Sequence, residues 1–292
     1  PAAVRRRAGR GAVSDDPQRV VEDAVVLDQL SDGRVQLGLA TGGTPSSFAA
    51  FGRDSDRRRE IFADHVEVLL DALEGRGIRG TSSRIYPAAG DLGERVWQAT
   101  FSVDGGRRAG ERGDGLLLSR TQPRPADAPD APLHDLQLPI IAAYRDALPD
   151  GAPVRVLASR TALVVDPENR TRALELADAG LRQLARTMFG LDTDGLSIDE
   201  LARITDTHVG TVDEVVASLG ADQTLAAATD VSFQVHSVAA THELTLRSLQ
   251  LLADEVAPRL GLSTGPEAAD ALRHAHRPLV TARPGDTPRE IS

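Results

Sequence analysis

Apolar residues recur along the chain in two alternating rhythms, one helical and one of short strands. Val20, Ala24 and Leu27 are spaced i, i+4, i+7, the stripe of an amphipathic helix. Asp16 followed by Pro17 supplies an N-cap and a proline at the first helical position, and Ser31-Asp32-Gly33 closes the helix. The run 35–40 then reads as a strand, ended by Thr41-Gly42-Gly43-Thr44-Pro45. A long helix follows over 54–73, with Phe62, Val66, Leu69 and Leu73 on one face. Further strands are predicted at 95–101, 116–118, 154–165 and 231–238, with helices at 102–109, 138–148, 168–188 and 241–259. Residues 121–136 are rich in Pro, Ala and Asp and too long for a turn, the profile of a lid or mobile loop. Strand and helix alternate about five times. Helical crossovers imply parallel pairing, so the class is α/β. Five strands are too few for an eight-stranded barrel, and periodicity alone leaves a doubly wound sheet and a (β/α)8 barrel both open.

Composition narrows the chemistry more than the fold. The 292 residues are 41% hydrophobic and 26% charged, which suits a protein that buries a core. No apolar run approaches the ~20 residues of a membrane span, and no signal-peptide core opens the chain, so a cytoplasmic protein is expected. Cysteine is absent, which excludes disulfides, thiolate nucleophiles and iron–sulfur clusters. Lysine is absent too, which excludes Schiff-base chemistry and a Walker A lysine. A net charge of −10 argues against nucleic acid as a partner. The exception is the start, where Arg5, Arg6, Arg7 and Arg10 come with no acid. Residues 1–15 read as a solvated basic arm, and the proline-containing segment 263–292 as a disordered tail.

Several constellations invite a functional reading beside an ordinary one. Thr41 and Gly42 open a glycine loop at the carboxyl end of a parallel strand, where α/β ligand sites gather; a plain tight turn is the alternative. Ser102 begins a helix after a strand, where hydroxyls and free N–H groups can hold phosphate, and N-capping is an equal reading. The segment 197–219 imitates a helix-turn-helix with its turn near 207–210. Its would-be recognition helix offers Asp213 and Glu214 and no arginine, which would repel DNA phosphate. His236 ends the last strand beside Ser237 and is a candidate pocket residue or simply a strand end. The histidines lack metal-ligand spacing, so no metal is expected, and no catalytic triad or carboxylate pair can be argued.

The stretch 17–52, PQRVVEDAVVLDQLSDGRVQLGLATGGTPSSFAAFG, resembles the bacterial luciferase-like, flavin-dependent monooxygenase family. Trp97-Gln98-Ala99-Thr100 with Ser102, Gly113-Asp114-Gly115-Leu116, and Gly210-Thr211-Val212-Asp213-Glu214-Val215 are similar to later segments of that family, with Val212 where proline is usual. The last of these accounts for the false helix-turn-helix. The resemblance covers 16–262. It implies a (β/α)8 TIM-barrel fold with FMN at the carboxyl ends of the strands. It also implies oxygenation of an unidentified small organic molecule with O2, reduced FMN being delivered by a flavin reductase. F420 is the alternative cofactor, and a truncated remnant without competent flavin binding is the alternative to an enzyme. Carried over by position, Thr41, Gly42, Gln98, Ala99 and Ser102 would border or bind the cofactor. Thr41 stands where many members have arginine, and Arg120 would compensate. Family members also carry about a hundred more residues ahead of this match. The barrel is therefore expected to be incomplete, lacking its first two or three strands, and a homodimer is expected from the family.

Overall fold

The protein is seen here in a computed structural model that describes residues 7–11 (backbone only), 16–42, 45–129, 131–236 and 240–264. The expected tail beyond 264, Gly43, Thr44 and Ser237, and the remainder of the basic arm lie outside the described residues. The first helix, α1 (Pro17–Leu30), starts as its sequence dictates: the Asp16 carboxylate accepts the N–H of Gln18 at 2.9 Å. It buries Val20, Val21, Ala24 and Val25. Strand β2 (Gln36–Ala40) follows, then α2 (Pro45–Ala50) and α3 (Arg58–Leu73). Strands β3 (Val96–Ala99) and β4 (Gly115–Leu118) flank α4 (Val103–Glu111), and α5 (Leu133–Asp146) leads to β5 (Val156–Val164).

Among the described residues all pairings are parallel, in the order β1 (Arg7–Gly11), β2, β3, β4, β5, β6 (Thr207–Gly210), with β7 (Asp230–Gln234) also on β5. Among the described residues seven strands stand where five were expected. One extra is β1 (Arg7–Gly11), which pairs with β2 from Arg7↔Gln36 to Gly11↔Ala40. Within the segment expected as a solvated basic arm, residues 7–11 thus form a strand, because a parallel ladder needs only backbone groups and tolerates RAGRG. The other is β6 (Thr207–Gly210), which sits on the far half of β5 and occupies the supposed turn of the helix-turn-helix. Among the described residues β1 and β7 do not pair with each other, so the sheet is an open half-barrel.

Alternation along the strands separates two faces. Leu37, Leu39 and Val96 face α1 and α3 and join Val20, Val21 and Leu69 in one core. Leu116 and Leu118 face α4 and α5 with Ile140 and Tyr144. The α4–α5 contact is close because Gly106 and Gly110 lie against the backbone carbonyls of Ile140 and Tyr144, where a Cβ would collide. Helix α6 (Arg170–Phe189) presents Ala173, Ala177, Leu181 and Ala185 to the core it shares with β5. The opposite face of the sheet is concave and carries Gly38, Ala40 and Ala99 beside Leu117 and Leu157. A Cβ on Gly38 of β2 would meet the Leu117 side chain, two strands away, at 3.3 Å.

Guanidinium groups close the amino-terminal end of the sheet. Arg95 binds both carboxylate oxygens of Asp28 at 2.8 Å and the carbonyls of Gly33 and Val35. Arg155 donates to the carbonyls of Glu94 and Gly113, each at 2.8 Å, and stacks on Trp97 with 5.3 Å to the ring centre. Below the helices, buried Arg160 binds Asp222 at 2.5 Å and Gln137 at 3.0 Å. Burial, reinforced by Arg160, lowers the pKa of nearby His208 from the usual 6.5 to about 4. The unfolded chain therefore binds a proton that the folded chain resists, so stability falls as pH drops from about 6.5 towards 4. Urea midpoints measured across that window should show a loss on the order of 1–2 kcal/mol that His208→Gln largely removes.

Candidate functional site

Because every strand runs the same way, the exits of β2, β3, β4, β5 and β7 share one rim beside the concave face. Thr41 and Gly42 leave β2 there, partly exposed. Gly42 has φ of 94°, and a Cβ would press on the Phe48 ring at 3.1 Å, so both backbone and space favour glycine. One strand over, Ala99 ends β3 on the concave face, the side opposite Val96 and Gln98.

The next turn makes a compact polar ledge. Ser102 caps α4 by accepting the Gly105 N–H at 3.1 Å, while Thr100 accepts the Ser102 N–H at 3.1 Å. The two hydroxyls lie 3.3 Å apart, and a Cβ on Gly105 would overlap Thr100. The first intrahelical bond runs from Gly106 to Ser102, so the N–H groups of Val103 and Asp104 have no partner within the helix. Together with the helix dipole this ledge suits an anion. Asp104 is turned outwards to Arg107, 3.6 Å away.

Gln98 departs from expectation. Its side chain points to the helices and donates to the buried Asp114 carboxylate at 2.7 Å. Burial raises the pKa of Asp114, against the opposing pull of that hydrogen bond and of Arg112. A buried carboxyl needs a donor, and Gln98 is engaged in supplying it. Arg120 departs as well: leaving β4, its guanidinium bonds Thr161 of β5 at 3.1 Å, away from β3 and the ledge. Burial alone lowers its pKa. His236 lies just beyond β7 and is exposed at the same end of the sheet. Thr41, Gly42, Ala99 and Ser102 thus gather on neighbouring strand ends, whereas the side chains of Gln98 and Arg120 turn elsewhere. Thr100 and Thr161 were missed; a hydroxyl two residues ahead of a serine cap was the available signal for Thr100.

The long loop after β4 is tied down at its base. Arg124 holds both carboxylate oxygens of Asp206 at 2.6 and 3.1 Å, and also the carbonyls of Gln122 and Ala131. Thr121 adds a hydrogen bond to Asp206 at 2.8 Å. A lid in this position is therefore clamped to the turn ahead of β6. Among the described residues no helix is long and apolar enough to cross a membrane, and no group of three or more acidic or histidine side chains could hold a metal.

A parallel half-barrel whose strand ends share one rim defines a TIM-barrel-type α/β protein. Residues 10–232 match the luciferase-like monooxygenase family, and the chain belongs to it. The alkanal monooxygenase alpha chain of Aliivibrio fischeri is 30% identical over 81 residues, which are 28% of this chain and 23% of that one. That of Photobacterium leiognathi is 27% identical over 113 residues, 36% of this chain and 32% of the relative. The matched segments thus span less than a third of those relatives. Among solved structures, monooxygenase RslO1 from Streptomyces bottropensis superposes with a TM-score of 0.67 at 22% identity, covering 86% of this chain and 76% of that one. The oxygenating constituent of 3,6-diketocamphane monooxygenase from Pseudomonas putida, in complex with FMN, gives 0.57 at 16% identity, covering 88% and 79%. The coenzyme F420 dependent tetrahydromethanopterin reductase of Methanopyrus kandleri also gives 0.57, at 15% identity, covering 87% and 83%.

The clamp on the loop is testable without any ligand. Arg124→Met should raise hydrogen–deuterium exchange across 121–129 while α1 and α3 keep their protection, because Asp206 left without its cation, with only Thr121 bonded to it, would favour an open loop. Unchanged exchange in the loop would mean that the ion pair does not hold it.

Proposed function

We propose that the protein is a flavin-dependent monooxygenase that uses reduced FMN and O2 to oxygenate an organic substrate. The observation that carries this reading is the ledge of Thr100, Ser102 and the α4 amino terminus standing beside the small residues of the concave face. Gly38, Ala40 and Ala99 leave room for a flat ring system, and the ledge supplies donors for its terminal phosphate. Thr41 and Gly42 would border the ring or phosphate from β2. Leu117 and Leu157, on the same concave face, would keep water from the reacting centre. Bound reduced flavin supplies the electrons and the site at which O2 reacts. Family membership and the likeness to an FMN-bound monooxygenase fold support this class of cofactor.

An F420-dependent oxidoreductase is the second reading, favoured by the likeness to the Methanopyrus enzyme. A cytoplasmic location, a flavin reductase as electron source and a homodimer belong to the first reading. Titration of the purified protein with FMN, riboflavin and F420, followed by flavin fluorescence, separates the possibilities. FMN should bind at least about tenfold more tightly than riboflavin, the value of a phosphate held by charge-assisted hydrogen bonds. Ser102→Ala and Thr100→Val should shrink that preference and leave riboflavin unaffected. Preference for F420 would support the second reading, and no binding by folded protein would identify a non-catalytic remnant.

A further inference from the structure

Most arginines inside this protein have a visible electrostatic or structural partner. Arg95 holds Asp28 and Asp91, Arg124 holds Asp206, and Arg160 holds Asp222. Arg155 has three backbone carbonyls and an aromatic ring. Arg120 differs. It is half-buried, and its one hydrogen bond among the described residues is to the Thr161 hydroxyl, with no carboxylate in ion-pair range. A guanidinium carries five N–H donors, so most of its capacity is unmet.

Its direction is fixed by the phase of β5. Arg160 reaches Gln137 of α5 and Asp222, on the helical side, so Thr161 stands on the opposite, concave side. The Arg120 guanidinium is therefore drawn over the concave face towards β5, while the phosphate ledge stands after β3, on the other flank of β4. Leu117 and Leu157 stand on that same face one level lower, paired across β4 and β5, with Ser159 between them and Thr161 along β5. A cation held there without a counter-charge is costly, and an incoming anion offsets that cost.

We propose that Arg120, positioned by Thr161, binds the anionic group of the substrate, and that the substrate is an organic carboxylate with an apolar body. The proposal rests on the enzyme reading only in calling that molecule a substrate; the binding itself needs no flavin. The anionic end would sit at the β4–β5 exit and the apolar body against Leu117 and Leu157.

Octanoate and octanamide, equal in shape and different in charge, are suitable probes for calorimetric titration of the full chain. Octanoate should bind at least about tenfold more tightly than octanamide, as a charge-assisted pair implies. Arg120→Gln should bring the two within about twofold, Arg120→Lys should retain part of the discrimination, and Thr161→Val should weaken octanoate severalfold with the charge still present. If Arg120→Gln does not fold, judged by circular dichroism, Thr161→Val carries the test. The FMN-over-riboflavin preference should survive Arg120→Gln. Equal binding of the two probes, or no octanoate binding, would overturn the proposal. Loss of the FMN preference in Arg120→Gln would also overturn it, by assigning the residue to the cofactor phosphate. Failure of the wild-type protein to bind FMN or F420 would instead overturn the enzyme reading, because octanoate discrimination is measured without either.

Discussion

Parallel pairing is the constraint from which the site follows. A strand can lie parallel to its neighbour only if the chain returns to the starting end between them, and here helices make most of those returns. Every strand then finishes on the same edge, so loops far apart in sequence become neighbours. Thr41, Ser102 and Arg120 stand along one edge for this reason alone, at the exits of β2, β3 and β4. The same constraint collects the opposite ends into a floor, where unpaired carbonyls need donors. Arg95 and Arg155 meet that need, Arg95 with two carbonyls of the turn ahead of β2 and Arg155 with carbonyls from two separate segments. Chemistry at one end and structural closure at the other are two results of one pairing rule.

A chain without lysine does all its cationic work with guanidinium, and the consequences are geometric. A planar fork can take both oxygens of one carboxylate, as Arg95 does with Asp28 and Arg124 with Asp206. Such pairs hold two segments at a set angle, where an ammonium would leave them free to swivel. Arg124 shows what this does to a loop. A proline-rich excursion of the kind that usually moves is fastened at two carbonyls and one carboxylate, so any opening must break a bidentate ion pair.

What could be read from the sequence divides along the range of the forces involved. The caps at Asp16 and Ser102 were legible because a cap depends on the two or three residues after it. The helices packed on the sheet were legible in the same way, through stripes such as Leu69 and Leu73. Strands β1 and β6 were not, since RAGRG and THVG carry no apolar run and form only against the edges of β2 and β5. Gln98 was identified as a residue of interest from its motif, but its direction depends on the phase set by Val96 and on the need of buried Asp114 for a donor. Arg120 was visible as a cation after a strand. Only the fold shows that it leans on β5 and not towards the ledge.

The division of the sheet into two faces also separates stability from specificity. The three hydrophobic cores lie largely on the helical side, where Leu37, Leu39, Leu116, Leu118 and Val164 meet α1, α3, α4, α5 and α6. Beside Leu117 and Leu157, the upper concave face contributes Gly38, Ala40, Ala99 and Ser159, side chains that bury little apolar area of their own. Substitutions there remove few core contacts, so they change what fits against the sheet more than whether the sheet forms. The floor behaves differently: Trp97 covers Gly115, and Arg155 covers Trp97, so a change in any of the three disturbs the other two. A gradient therefore runs along each strand, from a floor that tolerates little to a rim free to vary. Arg120 stands at the variable end and yet is fixed by Thr161, which is what a group selecting one ligand chemistry requires.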